Sequence, residues 1–420
     1  MSPNLATESS SRPGQASVTG LMAEIAGTGT DPARGGYTRP VFSTAEQDLR
    51  TWFIDQAQRR ALDVETDANG IIWAWWDVPG TAPGSARENA IVTGSHLDSV
   101  PGGGAFDGPL GIASALVAVD ILRARGQVPR RPLAIAVFPE EEGSRFGVAC
   151  LGSRLLTGAI SPERALSLRD PDGNTLADVA AANGQDPERF GPDPGRLASI
   201  GQFVELHVEQ GRGLIDLARP VAIGSSILGH GRWRLRITGQ GNHAGTTLIQ
   251  DRRDPMVAAA ACVLAVRAVA LRFRNARATV GRLVPVPGGT NVIASAVDLW
   301  FDVRHPEDAV TAAVVENIRQ EARLAAAGEG CTMELTEESL SPTTHFDAGL
   351  RTALQDVLPE APVLDTGAGH DAGVLAAHVP TAMLFVRNPT GVSHSPEEHV
   401  EDADAETGAA ALADVLASLG

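Results

Sequence analysis

Buried strands and a helix alternate in the first part of the chain. Ala90–Thr93 is a short apolar run that ends at Gly94, and Leu133–Phe138 is a second apolar run. Between them, Leu110–Arg125 has apolar residues at helical spacing, and Gly126 marks its end. Two strands joined by such a helix predict an α/β fold with a parallel sheet covered on both faces. Ligands of such sheets bind beyond the carboxyl ends of the strands.

A different pattern runs from about Pro220 to Thr336. Its first strand alternates apolar residues with arginines, as a half-exposed strand does. The predicted elements are, in order, strand Arg232–Ile237, helix Pro255–Leu271, strands Ala278–Val284 and Ala296–Val303, helix Ala309–Ala327 and strand Thr332–Thr336. The order β-α-β-β-α-β predicts a ferredoxin-like α+β domain, residues 220–336, inserted into the larger domain. The open edges of its sheet can pair between two subunits.

After Thr336 the α/β pattern returns. Pro380–Val386 is another apolar strand, and Ala405–Leu419 is an Ala- and Leu-rich helix. The larger domain is therefore predicted to be discontinuous, formed by residues 16–219 and 337–420. Residues 1–15 are polar and Ser-rich and lack the apolar stretch of a signal peptide, so we expect a disordered tail there.

Composition narrows the class of protein. The chain has 420 residues, of which 43% are apolar, enough for the cores of two domains, and no segment resembles a membrane span. The net charge of −17 disfavours binding to nucleic acid or to an anionic membrane, because both attract basic patches. The three cysteines are far apart in the sequence, which argues against a thiolate zinc site and predicts a reduced, cytoplasmic protein.

Histidines and carboxylates occur where the predicted strands end. They are His96 with Asp98, Asp107, the run Glu140–Glu142, His207 and His394. Each signal is weak alone, since an Asp in a glycine-rich loop or a run of glutamates is more often structural or solvated. Together they predict a metal centre, because imidazoles and carboxylates suit Zn²⁺ or Mn²⁺. A bridging carboxylate allows two cations roughly 3.5–4 Å apart, and a nearby carboxylate can act as general base.

Several segments also resemble a known family. They are GSHLDSVPGGGAFDGPLG, EEEGSRF, ELHVEQG, NHAGTT, TNVIASAVDLWFDVRH, GAGHDA and GVSHSP. Together they resemble the carbamoylase branch of a metallopeptidase group, a branch that contains N-carbamoyl-L-amino-acid hydrolases, β-ureidopropionases and allantoate amidohydrolases. The resemblance implies a zinc-peptidase-like catalytic domain with two divalent cations, Zn²⁺ or Mn²⁺. It also implies a homodimer in which the inserted domain serves as lid and dimer contact.

The resemblance implies a role for each residue of the centre. The implied metal ligands are His96 and His207 for one cation, Glu142 and His394 for the other, and Asp107 as the bridge between them. Glu141 corresponds to the general base, and Asp98 to the residue that orients His96. The resemblance gives Glu140 no catalytic or ligand role and leaves it as a charged residue beside Glu141.

Four further residues correspond to substrate-binding positions of the family. They are Gln210, His243, Asn291 and Arg304. Arg304 suits a substrate carboxylate, because a planar guanidinium binds it through two hydrogen bonds. The chain departs from the family at Ala294, where a proline is usual, and at the end of HAGTTLI. The resemblance assigns no role to His370, Asp371, Arg387 and Asn388.

Three functions remain open at this point. The first is an amidohydrolase that cleaves a ureido or carbamoyl C–N bond of a small carboxylate, such as allantoate or an N-carbamoyl-L-amino acid, and releases ammonia and CO₂. The second is an aminoacylase or dipeptidase that uses the same metals on an acyl amide. The third is a catalytically idle scaffold, which is disfavoured because every implied ligand and Glu141 are present.

Overall fold

The computed structural model describes residues 16–81 and 87–420, which form two compact units. The larger unit ends at Ser225 and resumes at Phe346, and the smaller unit is Ser226–His345. The tail predicted at residues 1–15 lies outside the described residues.

The first part of the larger unit contains helices and the first strands of the large sheet. Its elements are α1 (Val18–Ile25), α2 (Thr44–Arg59), β1 (Asp63–Thr66), β2 (Ile72–Trp76), β3 (Ala90–His96), α3 (Pro109–Ala124), β4 (Leu133–Phe138), α4 (Leu151–Thr157), α5 (Pro162–Leu166), α6 (Leu176–Ala182), α7 (Pro194–Ser199), β5 (Ile200–Val208), α8 (Gly213–Leu217) and β6 (Val221–Ile227). The strand predicted to end at Thr93 continues to His96, which pairs with Phe138 of β4. The polar Ser95 is tolerated in this buried strand because its hydroxyl donates to Glu205 at 3.1 Å.

The smaller unit is a ferredoxin-like α+β domain. Its elements are β7 (Gly229–Thr238), β8 (Asn242–His243), α9 (Pro255–Ala270), β9 (Arg277–Val286), β10 (Val292–Ile293), β11 (Ala296–His305), α10 (Asp308–Gly328), β12 (Thr332–Ser341) and β13 (Thr344–His345). The main sheet has the antiparallel order β12-β7-β11-β9. Alternate residues of β7 are buried, including Trp233, Leu235 and Ile237, and they form a core with α9 and α10.

The bounds of this unit differ from the predicted 220–336. It begins later because β6 belongs to the large sheet, where Val221–Ile223 pair with the strand that carries Val386. It ends later because β12 stays paired with β7 as far as Ser341. Apolar periodicity fades along this exposed edge strand, so the sequence pattern stops short of its end.

The chain then returns to the larger unit with α11 (Ala348–Val357), β14 (Val363–Thr366), α12 (Asp371–Leu375), β15 (Thr381–Val386) and α13 (Asp402–Leu419). The large sheet follows the order β1-β2-β4-β3-β5-β15-β6-β13, with β14 also beside β6. Strands β4, β3, β5 and β15 are parallel to one another, whereas β2 and β6 run antiparallel to their neighbours. Four parallel strands therefore deliver their carboxyl ends to one edge of the sheet.

The core of the larger unit fixes those four strands. Helix α3 is buried along almost its whole length and packs against β3, β5, α1 and α13. Truncating a fully buried leucine of this helix such as Leu116 would cost about 2–5 kcal/mol of folding free energy. Within residues 16–81 and 87–420, no helix combines the length and apolar character that a membrane crossing requires.

Candidate metal centre

The predicted metal-binding residues meet at the carboxyl ends of the parallel strands. His96 is the last residue of β3, and His207 is the penultimate residue of β5. Glu142 follows β4, and His394 follows β15. Asp107 enters from the loop before α3, where Gly108 has a φ of 87° and Pro109 starts the helix. A side chain at position 108 would lie 2.6 Å from the His96 ring, so this close approach requires glycine.

His96, Asp107 and His207 form the first group. Asp107 Oδ1 lies 3.2 Å from His207 Nε2 and 3.6 Å from His96 Nε2. The opposite ring nitrogens face backbone carbonyls: His96 Nδ1 lies 3.1 Å from the oxygen of Asp98, and His207 Nδ1 3.0 Å from that of Val208. Each Nδ1 therefore donates, which leaves the lone pair of each Nε2 directed at the group.

Asp107, Glu142 and His394 form the second group. His394 Nε2 lies 3.3 Å from Glu142 Oε2 and 3.5 Å from Asp107 Oδ2. The two oxygens of Asp107 therefore face different groups, which is the geometry of a bridging carboxylate. His394 is half-exposed and has a φ of 56°, a left-handed conformation that is uncommon for a residue other than glycine.

The donor atoms fit divalent cations. Within each group the candidate ligand atoms lie within 4.8 Å of one another. Among the described residues, His96 Nε2, His207 Nε2 and Glu142 Oε1 are buried without a hydrogen-bond partner. Buried polar atoms are rarely left unpaired, and imidazole with carboxylate is a donor set for Zn²⁺ or Mn²⁺. These residues can therefore hold two metal ions that share Asp107.

Asp98 and Glu141 lie beside the first group. The Asp98 carboxylate accepts hydrogen bonds from the backbone N–H groups of Glu141 and Glu142, at 3.2 and 3.1 Å, and its Oδ1 lies 3.5 Å from His96 Nδ1. Glu141 Oε2 lies 3.7 Å from His96 Nε2, while its Oε1 accepts from the thiol of Cys150 at 3.3 Å. Asp98 thus contacts both the His96 ring and the backbone of the two glutamates.

Burial and neighbouring charges shift the pKa values of Glu141, Glu142 and His96. Burial raises the pKa of Glu141 well above its usual value, and burial together with the charge of Asp107 raises the pKa of Glu142 to about 8. Burial opposes the charged form of His96, but Glu141, Asp107 and Asp98 outweigh it and raise its pKa. Metal binding requires deprotonated ligands, so cations would displace these protons and relieve the crowding of negative charge.

Glu140 differs from its two neighbours. Its Oε1 accepts hydrogen bonds from the backbone N–H groups of Arg145 and Phe146, at 3.0 and 2.6 Å. Its own φ is 54°, which turns the chain sharply after β4. Glu140 therefore shapes the loop that presents Glu141 and Glu142.

The predicted substrate residues lie in both units. Gln210 belongs to the larger unit, and its Nε2 donates to Asp107 Oδ2 at 2.8 Å. His243 and Asn291 belong to the smaller unit, where β8 pairs with β10 and Ala244 N donates to the carbonyl of Asn291 at 3.0 Å. Arg304, on β11, is also in the smaller unit and pairs with the carboxylate of Asp302, with Nε 2.8 Å from Oδ1.

Two of the four residues without an assigned role, Arg387 and Asn388, make structural contacts. Arg387 pairs with Asp404 on α13, at 2.8 Å. Asn388 is buried and bonds within its own loop, donating to the carbonyl of Val392 at 2.7 Å, so it shapes the segment that leads to His394. His370 and Asp371 are buried at the start of α12, and the ring of His370 lies 4.4 Å from that of His207.

The sequence patterns did not identify two buried glutamates near the centre, Glu205 and Glu398. Glu205 precedes His207 by two residues on β5 and accepts from Ser95 and from the N–H of Ala372. With His207 and His370 it forms a further group of possible ligand atoms. Strand alternation could have identified Glu205, because residues two apart share a face. Glu398 accepts from the N–H of Asp107 at 3.0 Å, and no local pattern signals that contact.

The family model described as peptidase family M20/M25/M40 matches residues 92–418. An N-carbamoyl-L-amino acid amidohydrolase from Geobacillus stearothermophilus is 35% identical over 398 residues, which cover 93% of this chain and 95% of that protein. An allantoate amidohydrolase from Bacillus subtilis is 31% identical over 416 residues, 96% of this chain and 97% of that protein. The crystal structure of an amidase of the hydantoinase/carbamoylase family from Burkholderia multivorans has a TM-score of 0.84 at 30% identity, and the match covers 96% of this chain and 97% of that one.

Proposed function

We propose that this protein, which belongs to peptidase family M20/M25/M40, is a metal-dependent amidohydrolase that cleaves a ureido or carbamoyl C–N bond of a small carboxylate. The observation that carries the proposal is the position of Asp107, whose two oxygens face two separate groups of ligand side chains. The family resemblance predicted from the sequence motifs is confirmed. Relatives named for N-carbamoyl-L-amino acids and for allantoate support a ureido or carbamoyl substrate.

Two divalent cations, Zn²⁺ or Mn²⁺, would be held in these groups. His96 and His207 would hold one cation and Glu142 and His394 the other, with the Asp107 carboxylate shared between them. When bound, the cations supply Lewis acidity to the scissile carbonyl and to the attacking water. Gln210 holds Asp107 Oδ2 at 2.8 Å and so keeps the bridge in place.

Glu141 is the general base in this account. It is 5% exposed and belongs to neither ligand group, yet its Oε2 lies beside His96. The Cys150 thiol occupies Oε1, which leaves Oε2 to take a proton from the attacking water. The water oxygen adds to the ureido carbon, the C–N bond breaks, and Glu141 returns the proton to the leaving nitrogen. The carbamoyl group ends as CO₂ and ammonia.

Substrate recognition is assigned to residues of both units. Arg304 would bind the substrate carboxylate, and His243 and Asn291 would stabilise the oxyanion that forms on the attacked carbonyl. Arg304 is partly exposed, with its Nε 2.8 Å from Oδ1 of Asp302, and its partial exposure supports this role. Gln210 would contact the ureido or carboxylate end of the substrate.

The homodimer and the cytoplasmic location also remain proposals. The outer side of α9 carries several exposed apolar residues: Val257, Leu264 and the following Leu271 are 51%, 73% and 79% exposed, and Arg267 is the charged residue beside them. A cluster of exposed apolar side chains often marks an interaction surface, and a second copy of this domain would cover it. The free, buried cysteines agree with a reducing compartment.

A substrate panel tests the proposed reaction against acyl-amide hydrolysis. Allantoate, N-carbamoyl-β-alanine, several N-carbamoyl-L-amino acids and the matching N-acetyl amino acids would be incubated with the metal-loaded protein. We expect ammonia from at least one ureido or carbamoyl substrate and little turnover of N-acetyl compounds. Preferential release of acetate from the N-acetyl series would make the protein an aminoacylase, and no turnover on the full panel would contradict the proposal.

A further inference from the structure

Glu398 contacts the backbone that carries the bridging aspartate. Its side chain is buried, 4% exposed, and its Oε1 accepts from the N–H groups of both Phe106 and Asp107, each at 3.0 Å. One carboxylate oxygen thus fixes two successive peptide groups at the point where the chain turns into α3.

The same loop approaches Asp107 at two other atoms. Ser393 Oγ lies 3.4 Å from Asp107 Oδ2, and His394 Nε2 lies 3.5 Å from it. The segment from Ser393 to Glu398 therefore touches both the side chain and the backbone of the bridging residue. A disturbance of this segment would move Asp107 and His394 together.

Close contacts at two glycines, Gly104 and Gly108, restrict the backbone of the loop that carries Asp107. A Cβ at Gly104 would lie 2.3 Å from Oε1 and 2.6 Å from Cβ of Glu398, so this contact requires glycine. Four residues later, Gly108 meets the His96 ring as described above. Asp107 is thus held between Glu398 on one side and His96 on the other.

The two cation groups differ in how firmly their other ligands are held. His96 and His207 lie in hydrogen-bonded parallel strands, paired with Phe138 and Phe385 respectively. Glu142 and His394 lie in loops, and His394 has the left-handed backbone noted above. If Asp107 shifted, the first group would keep two imidazoles held in strands, whereas the second would keep only the loop residues Glu142 and His394.

We infer that Glu398 is a positioning residue that holds Asp107 between the two groups and so makes binding of the second cation possible. This inference rests on the proposed function, because it assumes that both groups bind cations. Residues that orient metal ligands typically contribute about 10–100-fold to metal affinity. The effect of Glu398 falls mainly on the site that contains Glu142 and His394.

Calorimetric titration of the metal-free, full-length protein with Mn²⁺ tests the inference without any substrate. We expect the wild type to show two binding steps. Glu398→Ala should weaken the second step by about 10–100-fold and change the first step much less. Gly104→Ala should have the same selective effect, since its Cβ would displace the Glu398 carboxylate while no proposed ligand residue is replaced.

Two further variants separate positioning from general damage. Glu398→Gln keeps an acceptor oxygen for the two N–H groups and should retain most of the second step. Glu397→Ala changes the exposed neighbouring glutamate, which bonds only to Ser395 among the described residues, and should leave both steps unchanged. A two-step titration of Glu398→Ala or Gly104→Ala that matches the wild type would overturn the inference. A wild type that binds no cation would instead contradict the proposed function.

Discussion

Replacement of Glu141 by glutamine separates proton transfer from metal binding. The amide has nearly the same shape, can still accept from the Cys150 thiol, and cannot accept a proton from water. Glu141 belongs to neither ligand group, so we expect Glu141→Gln to retain both cations. General base catalysis contributes about 10²–10⁴-fold, which at about 1.36 kcal/mol per factor of ten is about 2.7–5.4 kcal/mol of barrier.

The assay is steady-state ammonia release, with bound metal measured on the same sample. We expect kcat to fall by the stated factor while metal content and unfolding temperature change little. Glu140→Gln is the matched control, because it makes the same chemical change one residue earlier, where the side chain only accepts backbone hydrogen bonds. Turnover of Glu141→Gln within about threefold of the wild type, with normal metal content, would refute the assignment of the base.

Three further variants test other parts of the account. Asp98→Ala removes the acceptor for the N–H groups of Glu141 and Glu142 and should lower metal affinity about 10–100-fold. Competition with a chelating dye measures this affinity, and an unchanged value would contradict the orienting role of Asp98. Arg304→Ala should raise KM for carboxylate substrates about 10–100-fold without loss of metal, as expected for about 1.5–3 kcal/mol, and normal KM would remove it from the substrate site. Leu264→Glu places a charge on the exposed apolar side of α9 and should convert a dimer to a monomer in light scattering, whereas an unchanged mass would place the contact elsewhere.

The clustering of the candidate ligand residues was predictable because most of these residues follow apolar strands. Leu133–Phe138 is buried throughout, and its end is visible in the sequence as the change to Glu140–Glu142. Parallel strands bring such ends to one edge, so the approximate position of His96 and His207 followed from pattern alone. The fold class was predictable for a similar reason. Continuous apolar strands mark the larger unit, and a strand of alternating apolar and charged residues marks the entry into the smaller unit.

Contacts made by loops that return from distant sequence were not predictable in this way. Glu398 lies 291 residues after Asp107, and nothing in its neighbourhood distinguishes it from the exposed Glu397. The family resemblance assigned Arg304 to a substrate carboxylate and did not predict its pairing with Asp302, two residues earlier on the same strand. The structure divides the chain at Ser226 and His345 and not at residues 220 and 336, because β6 and the end of β12 lack the alternation that marked β7.

Titration of activity against bound cation tests the central claim most directly. Metal-free protein would receive increasing equivalents of Zn²⁺ or Mn²⁺, with ammonia release from a carbamoyl or ureido substrate identified in the panel measured at each point. We predict no activity without cation and a rise that reaches its plateau at about two equivalents, because Asp107 presents one oxygen to each of two groups. Full ammonia release in verified metal-free protein, or a plateau at one equivalent, would contradict a dinuclear centre shared through Asp107.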